Sequence, residues 1–224
     1  MSDADSFIDE VTDEVRRDRL FALLRRYGWI AIVVIVAVVG GASYNEYRKA
    51  QQTAAAEALG DQMLAAMDAD APADRAEALA GISPTSAGGG AVLDFLTAAA
   101  RAEAGDTEAA VAALEEIARN GDLEPIYRDI AGFKALVLQA DTLEASDRRQ
   151  RFEALARPGG ALRLLAEEQL ALIDVSEGQT EAALDRLQQI LQDAEANTTL
   201  RQRVSQVIVA LGGTPATVSG VQQG

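Results

Sequence analysis

The chain has 224 residues and a net charge of −15, with 20 basic and 35 acidic side chains and neither His nor Cys. That composition argues against His/Cys metal centres, thiol or Ser-His-Asp nucleophiles and disulfides, and the acidic balance argues against a nucleic-acid footprint. Aromatic residues make up only 4%, while Ala and the straight-chain residues that dominate lose little entropy in a helix, so the expected fold is all-α.

Residues 1–27 form a charged tail. Ser6 followed by Asp9 and Glu10 can start a helix, with acids in its first turn and arginines towards its end. Phe7, Val11 and Val15, then Leu20, Leu23 and Leu24, are spaced as an apolar stripe. Such a helix can lie on a membrane surface, dock on a partner, or simply orient the adjoining segment.

Residues 28–44 read as a transmembrane anchor. No charge lies between Arg26 and Glu46, and the 18 uncharged residues from Tyr27 to Tyr44 give roughly 27 Å of helix at 1.5 Å per residue, the short end for a bilayer core. Trp29, Ile30, Ile32, Val33, Val34, Ile35, Val36, Val38 and Val39 carry the run, with Tyr27, Trp29 and Tyr44 placed as an interfacial belt. A cleaved leader fits less well: Gly40-Gly41-Ala42 imitates a cleavage site, but the 26 preceding residues carry seven acids. Five arginines (Arg16, Arg17, Arg19, Arg25 and Arg26) precede the run and only Arg48 and Lys49 closely follow it. The positive-inside bias therefore places the N-terminus in the cytoplasm and the rest across the membrane, the periplasm in a Gram-negative type of cell. That remainder, residues 45–224, carries 15 basic and 28 acidic side chains.

Beyond the anchor the pattern stays helical from 43 to 69, breaks at Asp70-Ala71-Pro72, and resumes to about Leu79. The stretch ISPTSAGGG, residues 82–90, reads as a loop. Its three glycines lack the preceding strand and following Lys-Ser/Thr of a phosphate loop, so they read as a linker. A helix over 91–104 then ends at Gly105, a natural position after a helix because Gly tolerates φ > 0.

Here the sequence repeats itself. GDTEAAVAALEEIA (105–118) and GQTEAALDRLQQIL (178–191) agree at seven of fourteen places. Each reads as a glycine turn, a cap at Asp106 or Thr107 in one copy and Thr180 in the other, and an amphipathic helix. A diverged unit is expected between them: a helix over 126–140, a second capped by Ser146, and a stop at Arg157-Pro158-Gly159-Gly160. A helix over 161–177, apolar on more than one face, precedes the second copy. A last one starting at Asn197 or Thr198 covers the end of the stack. The tail, 213–224, is small and polar and expected to be disordered.

Gly105 with Ala110, and Gly178 with Ala183, resemble the Gly-Asp-x-x-x-Ala turn of tetratricopeptide repeats, with Leu114 and Leu187 at the following large position. The repeat's usual Trp, Leu-Gly and Tyr are absent, so the units are degenerate. The layout as a whole, a tail ending RRYGW, one anchor and helical repeats over 45–212, resembles the ancillary SecYEG translocon subunit family, single-span inner-membrane proteins with a periplasmic tetratricopeptide-like domain. The resemblance implies one transmembrane helix followed by an α-solenoid of helix pairs. It also implies a non-enzymatic scaffold that associates with Sec translocon subunits and handles secreted or unfolded clients with periplasmic chaperones. An envelope-assembly or cell-division scaffold of the same architecture is the alternative.

No catalytic, cofactor or metal constellation is expected, nor a small-molecule substrate. Glu115-Glu116 and Glu167-Glu168 are adjacent on helices and read as solvated faces. Arg148, Arg149, Arg151 and Arg157 read as paired surface charges. The first helix of each pair lines the curved surface of such a stack, which makes Phe95, Tyr127 and Phe133 the candidate partner-binding side chains.

Overall fold

The computed structural model describes the backbone of residues 3–216, and the side chains of Arg25, Trp29, Ile30 and residues 32–216. The described residues form nine helices and no strand: α1 (Asp3–Met67), α2 (Pro72–Ala80), α3 (Ala87–Glu103), α4 (Thr107–Arg119), α5 (Pro125–Leu138), α6 (Ala145–Leu155), α7 (Arg163–Ser176), α8 (Thr180–Gln192) and α9 (Thr198–Ala210). The chain divides into two units between Ala58 and Leu59. The second unit begins at Leu59.

The first unit is described as helix, part of α1. The apolar stripe expected along the tail from Phe7 to Leu24 falls on side chains outside the described residues. Among the described residues no helix is long and apolar enough to cross a membrane. The unbroken described run starts at Ile32, and 18 residues from there already take in Glu46, Arg48 and Lys49; the side chains of Tyr27, Gly28 and Ala31 lie outside it. The nine residues expected to form the anchor, from Trp29 to Val39, are all exposed, between 41% and 65% of their surface.

The second unit is a succession of packed helices whose core passes from pair to pair. Leu59, Met63 and Ala66 at the end of α1 pack with Leu79 of α2 and Leu93 and Ala100 of α3. Ala91 and Ala98 of α3 meet Leu114 and Ile117 of α4 and Ala131 and Ala135 of α5. Leu136, Phe152 and Leu170 carry the core from α5 through α6 to α7. Ala171, Leu187, Leu191, Val204 and Ile208 then close it across α7, α8 and α9. Each cluster involves neighbours in sequence, the arrangement of a helical-repeat stack.

The duplicated stretch sets the corners. Gly105 and Gly178 have φ of +84° and +76°, where a Cβ would be strained. Asp106 N–H donates to Arg101 O at 2.9 Å and Gln179 N–H to Asp174 O at 2.8 Å, closing equivalent helix ends. Asp106 also caps α4, its carboxylate accepting from Ala109 N–H at 3.2 Å. Asp106 is one of the two residues expected to cap that helix; the other, Thr107, and the cap expected at Thr180 are corrected. Both are the first helical residues, and α8 starts behind Gln179 with no side-chain cap. Ser146 likewise lies inside α6, which starts behind Glu144. The expected loop over 82–90 is shortened. Ser86 caps α3 by accepting from Gly89 N–H at 3.1 Å, which draws the three glycines into the first turn. A Cβ on Gly89 would come within 2.6 Å of Leu59 Cδ2, so a larger residue in that turn would make the Leu59 side chain shift. After α9, Gln188 holds Thr214 O at 2.8 Å and Ala216 N–H at 3.0 Å, so ordered chain extends past the expected start of the tail at 213. Residues 217–224 lie outside the described residues.

Candidate functional site

The first helices of two successive pairs place their side chains around one groove of about 370 Å³. Phe95, Ala98, Ala99 and Ala102 on α3 line it, the alanines being too short to fill the space. Phe133, Val137 and Leu138 on α5 and Leu114 of α4 complete the lining, and Lys134 is its one charged residue among the described residues. Phe133 packs edge-on against the buried ring of Phe152, centroids 5.7 Å apart and planes at 69°, which fixes its orientation. Val137 is 40% exposed. Such a surface offers apolar burial to a partner and no reactive group.

Of the three candidates from sequence, Phe95 and Phe133 come together here. Tyr127, in the first turn of α5, instead packs half-buried against the core shared with Ala91, Leu114 and Ala131.

The charged groups are less solvated than expected. Glu168 and Asp174 on α7 are only 4% and 2% exposed. Glu168 receives both arms of Arg203, Nε at 2.6 Å and Nη2 at 2.5 Å. Asp174 accepts from Arg149 at 2.7 Å and from Arg186 at 3.2 Å, while Arg186 also reaches Glu167 and Arg149 reaches Glu177 at 2.6 Å. Glu167-Glu168 is therefore no solvated face: an acid placed on the inner side of a helix is retained only where arginines satisfy it. Hydrogen bonds from these carboxylates hold the Arg203 and Arg149 guanidiniums above their ordinary pKa, Glu168 acting on the first and Asp174 with Glu177 on the second. Arg149, Arg151 and Arg157 of the basic cluster do face acids, Arg151 at 3.9 Å from Glu115 and Arg157 at 3.7 Å from Asp129.

The sequence does hold a signal for these pairs. The partners of Arg149 and Arg203 stand 25 to 35 residues away, about one helix pair along the chain, while Arg186 reaches back 12 and 19 residues to the preceding helix. An acid on an apolar helix face with an arginine one repeat away is the pattern to look for.

A second cleft, about 320 Å³, lies among α2, α3 and α4 and is lined by Asp94, Thr97, Arg101 and Glu116 among others. Desolvation first, then the Glu116 charge, pushes the Asp94 carboxyl above its usual range. Among the described residues no group of three potential metal ligands occurs.

Consecutive helix pairs, two of them turning on the positive-φ glycines Gly105 and Gly178, with an apolar groove between first helices, define a helical-repeat interaction module. The comparison with protein families agrees: the model described as "Tetratricopeptide repeat-like domain" matches residues 25–147, more than half of the 224. The chain belongs to the tetratricopeptide repeat-like domain family. Neither the curated proteins nor the solved structures give a match. Domains of this class are protein-interaction modules.

Proposed function

We propose that this chain is a membrane-anchored, non-enzymatic scaffold that holds a protein partner in the groove between α3 and α5. The observation that carries the reading is the apolar wall built by Phe95, Phe133 and Val137 on two adjacent first helices. A groove of this size with a single lysine recognises apolar side chains of an extended or helical segment better than it recognises any small polar molecule.

The anchor is residues 28–44. Seven successive apolar or small residues from Ile32 to Val38 clothe every side of α1, and an exposed helix that is apolar all round belongs in lipid. The family match begins at Arg25 and so includes this run. With five arginines ahead of it, the tail lies in the cytoplasm and the acidic repeats lie across the inner membrane, in the periplasm. By the resemblance of layout, the partners are Sec translocon subunits, with periplasmic chaperones or unfolded secreted clients in the groove.

Capture of the full chain from membranes in mild detergent, followed by mass spectrometry, tests this. Translocon subunits recovered with the wild type, and clients lost with Phe95→Ala plus Phe133→Ala, are the expected result. Recovery of envelope-assembly or division proteins alone would move the function to that class of scaffold. A mature N-terminus near Ala42 would remove the anchor.

A further inference from the structure

A second groove, about 420 Å³, opens on the other side of α5, between α4 and α6. It is lined by small and apolar residues, Gly132 among them, together with Arg119, Arg128 and Arg151 and the acids Glu115 and Asp129. Three guanidiniums facing two carboxylates leave a local surplus of positive charge in a region of the chain that is otherwise strongly acidic.

These arginines are more loosely paired than three others in the stack. Arg149, Arg163 and Arg203 make contacts of 2.5 to 2.8 Å with their acids. Here Arg151 stands 3.9 Å from Glu115, Asp129 has only Arg157 at 3.7 Å, and Arg119 meets Glu115 at 3.2 Å within one helix turn. Separations beyond 3.5 Å leave N–H donors unused. Arg128 makes no ion pair among the described residues, and its buried Nε has no hydrogen-bond partner. Glu115 is already shared among Arg119, Arg151 and the Gln139 amide, which donates to it at 3.3 Å, and so has little left to give.

A planar guanidinium with free donors selects carboxylates, and a strip of small side chains beneath it leaves room for a peptide backbone. We propose that this groove binds an acidic peptide segment of a protein partner, its carboxylates taken by Arg128 and Arg151 and its backbone lying over Gly132. The site is separate from the apolar groove of α3 and α5, so either can fail without the other.

The test uses the full chain in mild detergent and three fluorescent peptides of equal length, alternating Ala with Asp, Asn or Lys, read by anisotropy at low salt. The Asp peptide is expected to bind roughly tenfold or more tighter than the Asn peptide, the worth of one or two charge-assisted hydrogen bonds, and the Lys peptide not at all. Arg128→Gln with Arg151→Gln should lose about that tenfold, whereas Arg48→Gln, a cation outside the groove, should lose none. Gly132→Leu adds bulk to the lining without changing a charge and should also abolish binding. The nearest atom to a Cβ there is Ala118 Cβ at 4.0 Å, so there is room for the first carbon, and a helical far-ultraviolet spectrum checks that the variant folds. Equal binding of the Asp and Asn peptides overturns the proposal. So does full displacement by inorganic phosphate at the peptide's own concentration, which would make this a small-anion site. Wild-type affinity in both folded groove variants overturns it as well.

Discussion

From α6 to α9 the helices are clamped by arginines that reach carboxylates one repeat away, two of those acids almost wholly buried. From α2 to α5 the corresponding long-range pair is Arg75 with Glu103 at 2.6 Å, and Glu103 is 61% exposed. The same turn, Gly105 in one half and Gly178 in the other, thus joins helices held by different means. The C-terminal half buries acids that its arginines hold at short range, whereas around α3, α4, α5 and the adjoining part of α6 short side chains leave two grooves open and the arginines more loosely paired. The difference separates holding from binding. A surface kept available to a partner cannot also be locked into internal pairs.

The comparison breaks most easily at Asp174. Asp174→Ala removes the carboxylate that Arg149 and Arg186 share and leaves two guanidiniums facing each other. Breaking a buried pair in this way typically costs 3–5 kcal/mol, and since both arginines keep some access to water a loss of about 3 kcal/mol is expected. Glu103→Ala, its counterpart in the other half, should cost under ~1 kcal/mol because the pair is solvent-screened. Urea unfolding of the two variants against wild type measures both, and equal losses would mean that the halves are not held differently after all.

A smaller contrast sits at the paired corners. Asp106→Ala removes a helix cap and should cost about 1 kcal/mol, while Gln179→Ala should cost almost nothing because no cap bond exists there. Gln179→Asp should instead gain up to about 1 kcal/mol by creating at the second corner the cap present at the first. Thermal melts of the three variants rank these effects.

The sequence is legible where the physics is local. Gly105 and Gly178 announce their corners because only the backbone matters there, and the stripes Ala110-Leu114-Ile117 and Ala183-Leu187-Ile190 announce their buried faces by period alone. The caps are less legible. A polar residue on either side of a helix start can serve, and a one-residue difference in where the helix begins decides between Asp106 and Thr107. The Gly88 to Gly90 run looks like linker in sequence, yet glycine here permits the approach of Leu59, a contact from another helix. Buried Glu168 looks solvated for the same reason: its arginine, Arg203, arrives from another helix. Of the groove, Phe95 and Phe133 can be named from sequence but not joined, and Tyr127, on the same kind of helix, turns into the core. The free arginines around Arg128 are invisible in sequence, since being unpaired is a property of the whole neighbourhood.

The smallest expected effect concerns pH, and its sign differs between the halves. Asp193 accepts from Glu195 N–H at 2.8 Å and from Arg163 at 2.8 Å, and these bonds hold its carboxyl below the usual range. Its folded form therefore binds a proton less readily than the unfolded chain, so its stabilising contribution is complete above the unfolded value of ~3.9 and is lost as pH falls through the folded value. Asp94 is shifted the other way, by desolvation and by Glu116. Its folded form binds a proton more readily, so it burdens the fold at neutral pH and ceases to do so below the unfolded value of ~3.9. Asp193→Asn should accordingly lower the melting temperature at pH ~7, and Asp94→Asn should raise it slightly, with both differences from wild type shrinking as pH drops below ~4. If Asp94→Asn destabilises at neutral pH, its carboxylate is paired in solution, and the open, unpaired character assigned to the α3 and α4 half must be withdrawn at that cleft.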